Sequence, residues 1–113
     1  MKTPADNPLF PFIQALHGQA GLVGESRNAY LTKKAERDHI EATLTMAQEG
    51  KSQAEREMRA KATKDWLEFH KALARLEAIA EFQRLKFSVL EKEYFAQHQQ
   101  LSLDEGLIRK GSE

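Results

Sequence analysis

From Gln53 to Gln100 the chain has neither glycine nor proline, and Ala62, Trp66, Phe69, Leu73, Leu76, Ala80, Gln83, Phe87, Leu90 and Tyr94 recur there at alternating steps of four and three. Such spacing stacks side chains in one column along an α-helix and forms the a/d seam of a coiled coil. An unbroken helix over this stretch has about 48 residues and a length of roughly 72 Å. Gln83 is the one polar member of the column. A lone amide in such a seam costs stability and selects register or partner number, unless the seam opens to water at that point.

A second apolar column, Leu67, Ala74, Ala78, Phe82, Leu85, Val89 and Ala96, falls about 180° around the same helix at 100° per residue. The helix is therefore apolar on two sides. Upstream, Glu25–Glu49 is also free of glycine and proline and predicts a helix of about 24 residues and 36 Å. That shorter helix repeats the two-sided property, with Leu31, Ala35, Ala42 and Met46 on one side and Ala29, Ile40, Leu44 and Ala47 on the other. Glu49-Gly50-Lys51-Ser52 separates the two helices. Gly50 suits a left-handed position after a helix, and Ser52 with Glu55 makes a capping box that opens the next one. So short a connection turns the chain back on itself as an antiparallel αα-hairpin.

The fold class expected is thus all-α: an antiparallel helical hairpin over residues 25–101 with one very long helix, coiled-coil-like and completed by oligomerisation. Residues 1–24 hold all three prolines and three of the six glycines, and read as a separate apolar arm whose Pro11 starts a short helix reaching about His17. Residues 102–113 read as a short tail that frays, with Ser102-Leu103-Asp104-Glu105 offering a second capping-box spacing. The shorter helix spans only the first half of the longer one. The rest, Leu76 to Tyr94, needs either the arm folded over it or a second copy of the chain. Self-association is the expectation, through Leu73, Leu76, Phe82, Leu85, Phe87, Val89, Leu90 and Tyr94, because an exposed apolar side marks an interface.

The 113 residues carry 17 basic and 17 acidic side chains and no cysteine. Without cysteine there is no disulfide framework, thiol nucleophile or thiolate metal site. No apolar run reaches the length of a membrane span and no signal-like start is present, so a cytoplasmic protein with no membrane partner is expected. Balanced charge gives no basic excess of the kind nucleic-acid binders show. Even so, Lys51, Arg56, Arg59, Lys61 and Lys64 gather near the hairpin turn and form a possible nucleic-acid contact. Glu49, Glu55 and Glu57 interleave with them, which is the pattern of i, i+4 pairing on a wet helix.

Catalytic chemistry is not suggested. His17, His70 and His98 are dispersed, no serine and carboxylate stand with them in triad order, and Gly18, Gly21 and Gly24 do not form a phosphate-binding loop. No enzyme and no cofactor are expected. Glu36-Arg37-Asp38-His39 has the Glu-x-x-His spacing of half a di-metal carboxylate site, which here requires a two-fold dimer with Asp65 or Glu68 as further ligands. A solvated histidine is the plainer reading.

The segment Ala47-Gln48-Glu49-Gly50-Lys51-Ser52-Gln53-Ala54-Glu55-Arg56-Glu57, followed by Arg59-Ala60-Lys61-Ala62-Thr63, resembles the hairpin of small helical proteins carried by bacteriophages and prophages. The resemblance extends loosely through Leu76 to Tyr94 and covers about half the chain. It implies an accessory factor of a phage early or recombination region, working beside annealing recombinases and nucleases, with a phage or host protein as partner and no catalytic residues. The functional expectation is a non-enzymatic assembly and protein-interaction factor, a homo-oligomer of two or more chains. Direct nucleic-acid binding by the hairpin turn and a dimer-borne metal site are the alternatives.

Overall fold

In the computed structural model residues 7–112 are described, with side chains through Gly106. Pro4 and the other residues before Asn7, expected to belong to the arm, lie outside the described residues, as does Glu113. Four helices follow in order: α1 (Phe10–Ala35), α2 (Arg37–Met46), α3 (Gln53–Lys61) and α4 (Lys64–Ser112). Among the described residues there is no strand, and no helix is long and apolar enough to cross a membrane. The architecture is all-helical with one very long helix.

The chain divides into two compact units. One takes the described residues up to Val23 together with those from Phe82 onward; the other is Gly24–Glu81.

In the Gly24–Glu81 unit, α2 and α3 form the antiparallel hairpin that the short connection requires. Lys61 Nζ reaches Glu41 across it at 3.5 Å. The connection departs from expectation in one respect: no glycine among the described residues has positive φ. The chain leaves the helix earlier, at Met46, where Ala47 N–H donates to Thr43 O and Gln48 N–H donates to Thr45 O. Gly50 instead lies close to the next helix, where a Cβ would stand 3.0 Å from Arg56 Cγ and 3.4 Å from Arg56 N. The N-cap is as read from the sequence. Ser52 is extended and its Oγ accepts from Glu55 N–H at 3.1 Å, while Glu55 Oε2 accepts from Lys51 N–H at 3.1 Å. The first bond satisfies a backbone donor that the first turn of α3 leaves without a partner, and the second ties that turn to Lys51, one residue before the cap.

The long helix does not start at Gln53. Thr63 interrupts it: Thr63 Oγ1 donates to Ala60 O at 2.7 Å and accepts from Trp66 N–H at 3.2 Å, so one hydroxyl closes α3 and caps α4. A threonine followed by an acid in the first turn, Asp65, is an N-cap pattern that needs neither glycine nor proline. The core of this unit is small: Ala60, Phe69 and Leu73 are its buried apolar side chains, at 0, 6 and 9% exposure. Lys33 lays its Nζ 5.2 Å from the Phe69 ring centroid.

In the other unit the expected arm is helical. α1 begins at Phe10, with Asn7 supplying its carbonyl to Phe10 N–H and its side chain to Leu9 N–H, both at 2.9 Å. Pro11 sits in the first turn, where a missing N–H costs nothing. The helix then runs through Gly18, Gly21 and Gly24, against the expectation of a break at residue 24. Phe12, Leu16, Gln19 and Val23 explain why. They recur at steps of four, three and four and, with Phe10 and Ile13, are the less exposed residues of this stretch, while the three glycines are exposed. Packing of one helical face overrides the poor propensity of glycine.

That face meets α4. Gln19, only 4% exposed, donates from Nε2 to Gln83 O at 2.9 Å and to Gln83 Oε1 at 2.6 Å. The seam amide of α4 therefore pairs with a seam amide of α1 in the same chain, and the arm covers one side of the distal half of α4. The expectation that this half lacks an intrachain partner is corrected from Phe82 onward. The tail differs as well: α4 continues to Ser112, and Ser102 Oγ donates back to His98 O at 3.1 Å instead of capping a new turn.

Candidate functional site

The two apolar columns of α4 end in opposite environments. Along the first, Trp66, Phe69, Leu73, Leu76, Ala80, Gln83, Phe87, Leu90 and Tyr94 are all buried or half-buried, Ala62 alone falling outside because it is the C-cap of α3. Every member of the second, Leu67, Ala74, Ala78, Phe82, Leu85, Val89 and Ala96, is exposed. The side-chain direction at 100° per residue sorts them, since a partner helix can cover only one of two opposite faces.

The residues expected at a self-association interface accordingly separate. Leu73, Leu76, Phe87, Leu90 and Tyr94 lie on the covered seam and are occupied in building the fold. Phe82, Leu85 and Val89 are 61, 51 and 54% exposed. Phe95, absent from the sequence-derived set, is 63% exposed but lies about 120° around the helix from Val89. Tyr94 backs it, ring to ring at 5.6 Å and 70°. Isolated exposed apolar side chains are ordinary, but several large ones on one helical face are the mark of a contact surface.

The basic residues of the hairpin turn are mostly committed to the turn. Arg59 donates to Glu49 O at 2.7 Å and to Glu55 Oε1 at 2.9 Å, the i, i+4 pair that the charge pattern anticipated. Arg56 packs on Gly50 and Lys61 pairs with Glu41. Lys51 and Lys64 are exposed. Of the five cations, Arg59 and Lys61 thus pair with carboxylates while keeping about half of their side chains exposed.

Glu36 and His39 are both exposed, with Glu36 in the break between α1 and α2 and paired to Lys33 at 3.7 Å. Among the described residues no three of His, Asp and Glu gather closely enough to hold a metal ion. Trp66 and Phe69 do not form a stacking platform. Trp66, Phe69 and His70 pack on one another, with ring centroids 4.3 to 6.2 Å apart. His70 Nε2 is buried there without a hydrogen-bond partner, as is Thr45 Oγ1 beside the α2–α3 cleft. That cleft, about 340 Å³, mixes Asp38, Glu41 and Glu57 with Arg56 and Met46.

No family model matches the chain, and no curated protein or solved structure matches it.

Proposed function

We propose that this protein is a non-enzymatic helical assembly and protein-interaction factor that works through the exposed column of α4. One observation carries the reading: Phe82, Leu85 and Val89 stay largely exposed although the opposite face of the same helix is packed within the chain. A fold that has already used its seam has no need of a second apolar column. Keeping one costs solubility unless it is covered by a partner.

The reading predicts a dimer or larger species at tens of micromolar by light scattering on a sizing column. A monomer at every concentration overturns it. The likeness of the turn segment to phage helical proteins supports a setting beside DNA recombination or replication proteins. Capture of such a protein by the wild-type chain, and not by Leu85→Asp, is the test of that setting.

A further inference from the structure

Resting on the reading of the α4 column as a contact surface, we infer that its occupant is a second copy of this chain, laid antiparallel across a two-fold axis beside residue 87. The argument starts from spacing. Phe82, Leu85, Val89 and Lys92 follow at steps of three, four and three, a pattern that reads the same in both directions, and all four are exposed on one side of α4. Reversing the helix about a two-fold axis superposes that pattern on itself. Leu85 then faces Val89 of the second copy, and Phe82 faces Lys92 of the second copy, so each layer of a/d positions is filled twice over.

Charge decides between the two orientations. In a parallel, in-register pair Lys92 meets Lys92 of the second copy within the seam, two ammonium groups drawn together in a desolvated layer. In the antiparallel pair the same lysine lies over an aromatic face, the arrangement the chain already makes between Lys33 and Phe69. The long aliphatic stem of lysine also covers the ring edge while its head reaches water. One like-charge approach remains, Lys86 beside Lys86 of the second copy, and it sits on the exposed rim, where solvent and salt screen it.

Area is sufficient. At their observed exposures Phe82, Leu85 and Val89 offer roughly 300 Å² of surface per chain, or about 600 Å² for the pair. Lys92, Ala96 and Leu103, exposed on the same face, bring the total to the roughly 1,000 Å² that a specific interface requires. Within this unit α1 meets α4 at Gln83, on the side opposite the exposed column.

The absence of cysteine makes the test direct, because one introduced thiol labels one site per chain. Glu105 is exposed, opposite the column and about 18 residues beyond the axis. Spin labels on Glu105→Cys therefore stand roughly 54 Å apart in the antiparallel pair, against about 25 Å in a parallel one. Light scattering on the same sample reports whether the chain is paired at all. A pair with a long distance is the expected result. A pair with a short distance overturns the antiparallel arrangement and leaves the contact-surface reading standing, whereas a monomer overturns both. Lys86→Gln gives an independent sign: it tightens the antiparallel pair about two- to five-fold by removing the rim repulsion, and loosens a parallel pair, in which Lys86 lies beside Glu81 of the second copy.

Discussion

Replacing Leu85 and Phe87 separately by aspartate puts a charge on each side of α4 only two residues apart, and the two faces assign the variants different fates. Leu85 is already half in water, at 51% exposure, so the folded chain loses little when it becomes aspartate. What it loses is the part that pairing would cover. Full burial of a leucine contributes about 1.5–3 kcal/mol, so the remaining half amounts to about 1 kcal/mol per chain and 2 kcal/mol per pair. The apolar loss alone weakens association about 30-fold, and a carboxylate drawn into the contact without a partner adds to it. Phe87 is half-buried on the seam, so Phe87→Asp places its charge inside the fold and costs about 3 kcal/mol or more. For a domain of this size that lowers Tm by upwards of about 10 °C. Sizing with light scattering across a concentration series, with thermal melts at a concentration low enough that each variant is monomeric, separates the two effects. Leu85→Asp is expected to be monomeric with near wild-type melting, and Phe87→Asp to melt early at every concentration. If Leu85→Asp melts as early as Phe87→Asp, or if it keeps the wild-type mass, the division of α4 into a folding face and a contact face is wrong.

Other positions test the internal architecture. Gly18 and Gly21 are helical with nothing within 4 Å of an added Cβ, so Gly18→Ala and Gly21→Ala should each raise stability by about 0.5–1 kcal/mol in urea unfolding; a loss would mean that α1 does not run through them. Gln19→Ala strands the buried end of the Gln19–Gln83 pair and should cost about 1–3 kcal/mol, whereas Gln19→Leu with Gln83→Leu together should recover that loss or better, at the expense of a unique register. Thr63→Ala removes both the closing and the capping bond and should cost about 1 kcal/mol, read from the same unfolding curves. Arg59→Ala should destabilise the hairpin turn by about 1 kcal/mol while leaving any retention of DNA or RNA at low salt unchanged; a steep loss of retention would restore the turn as a nucleic-acid contact.

What the amino-acid order determines here is local and periodic. The steps of four and three from Trp66 to Tyr94 specify which residues of α4 share a side, because side-chain direction in a helix follows from residue number alone. Ser52 and Glu55 specify a helix start, since both partners of the cap lie within one turn. The glycines of α1 pointed the other way, toward a break, and propensity lost because the face carrying Phe12, Leu16, Gln19 and Val23 gains more by packing than three exposed glycines cost. Thr63 was legible as a cap only once the hydroxyl's two partners were in place, for threonine is equally at home inside a helix.

Which column of α4 would be used within the chain was not written in either column. Phe82, Leu85 and Val89 are as apolar as Phe87 and Leu90, and composition cannot rank them. The choice was made by a contact 64 positions apart in sequence, Gln19 with Gln83, which seats α1 on one face and by exclusion leaves the other bare. Sequence supplied two faces that each wanted a partner; only the tertiary structure, in which a single helix can cover one of them, decided which remained to be a site.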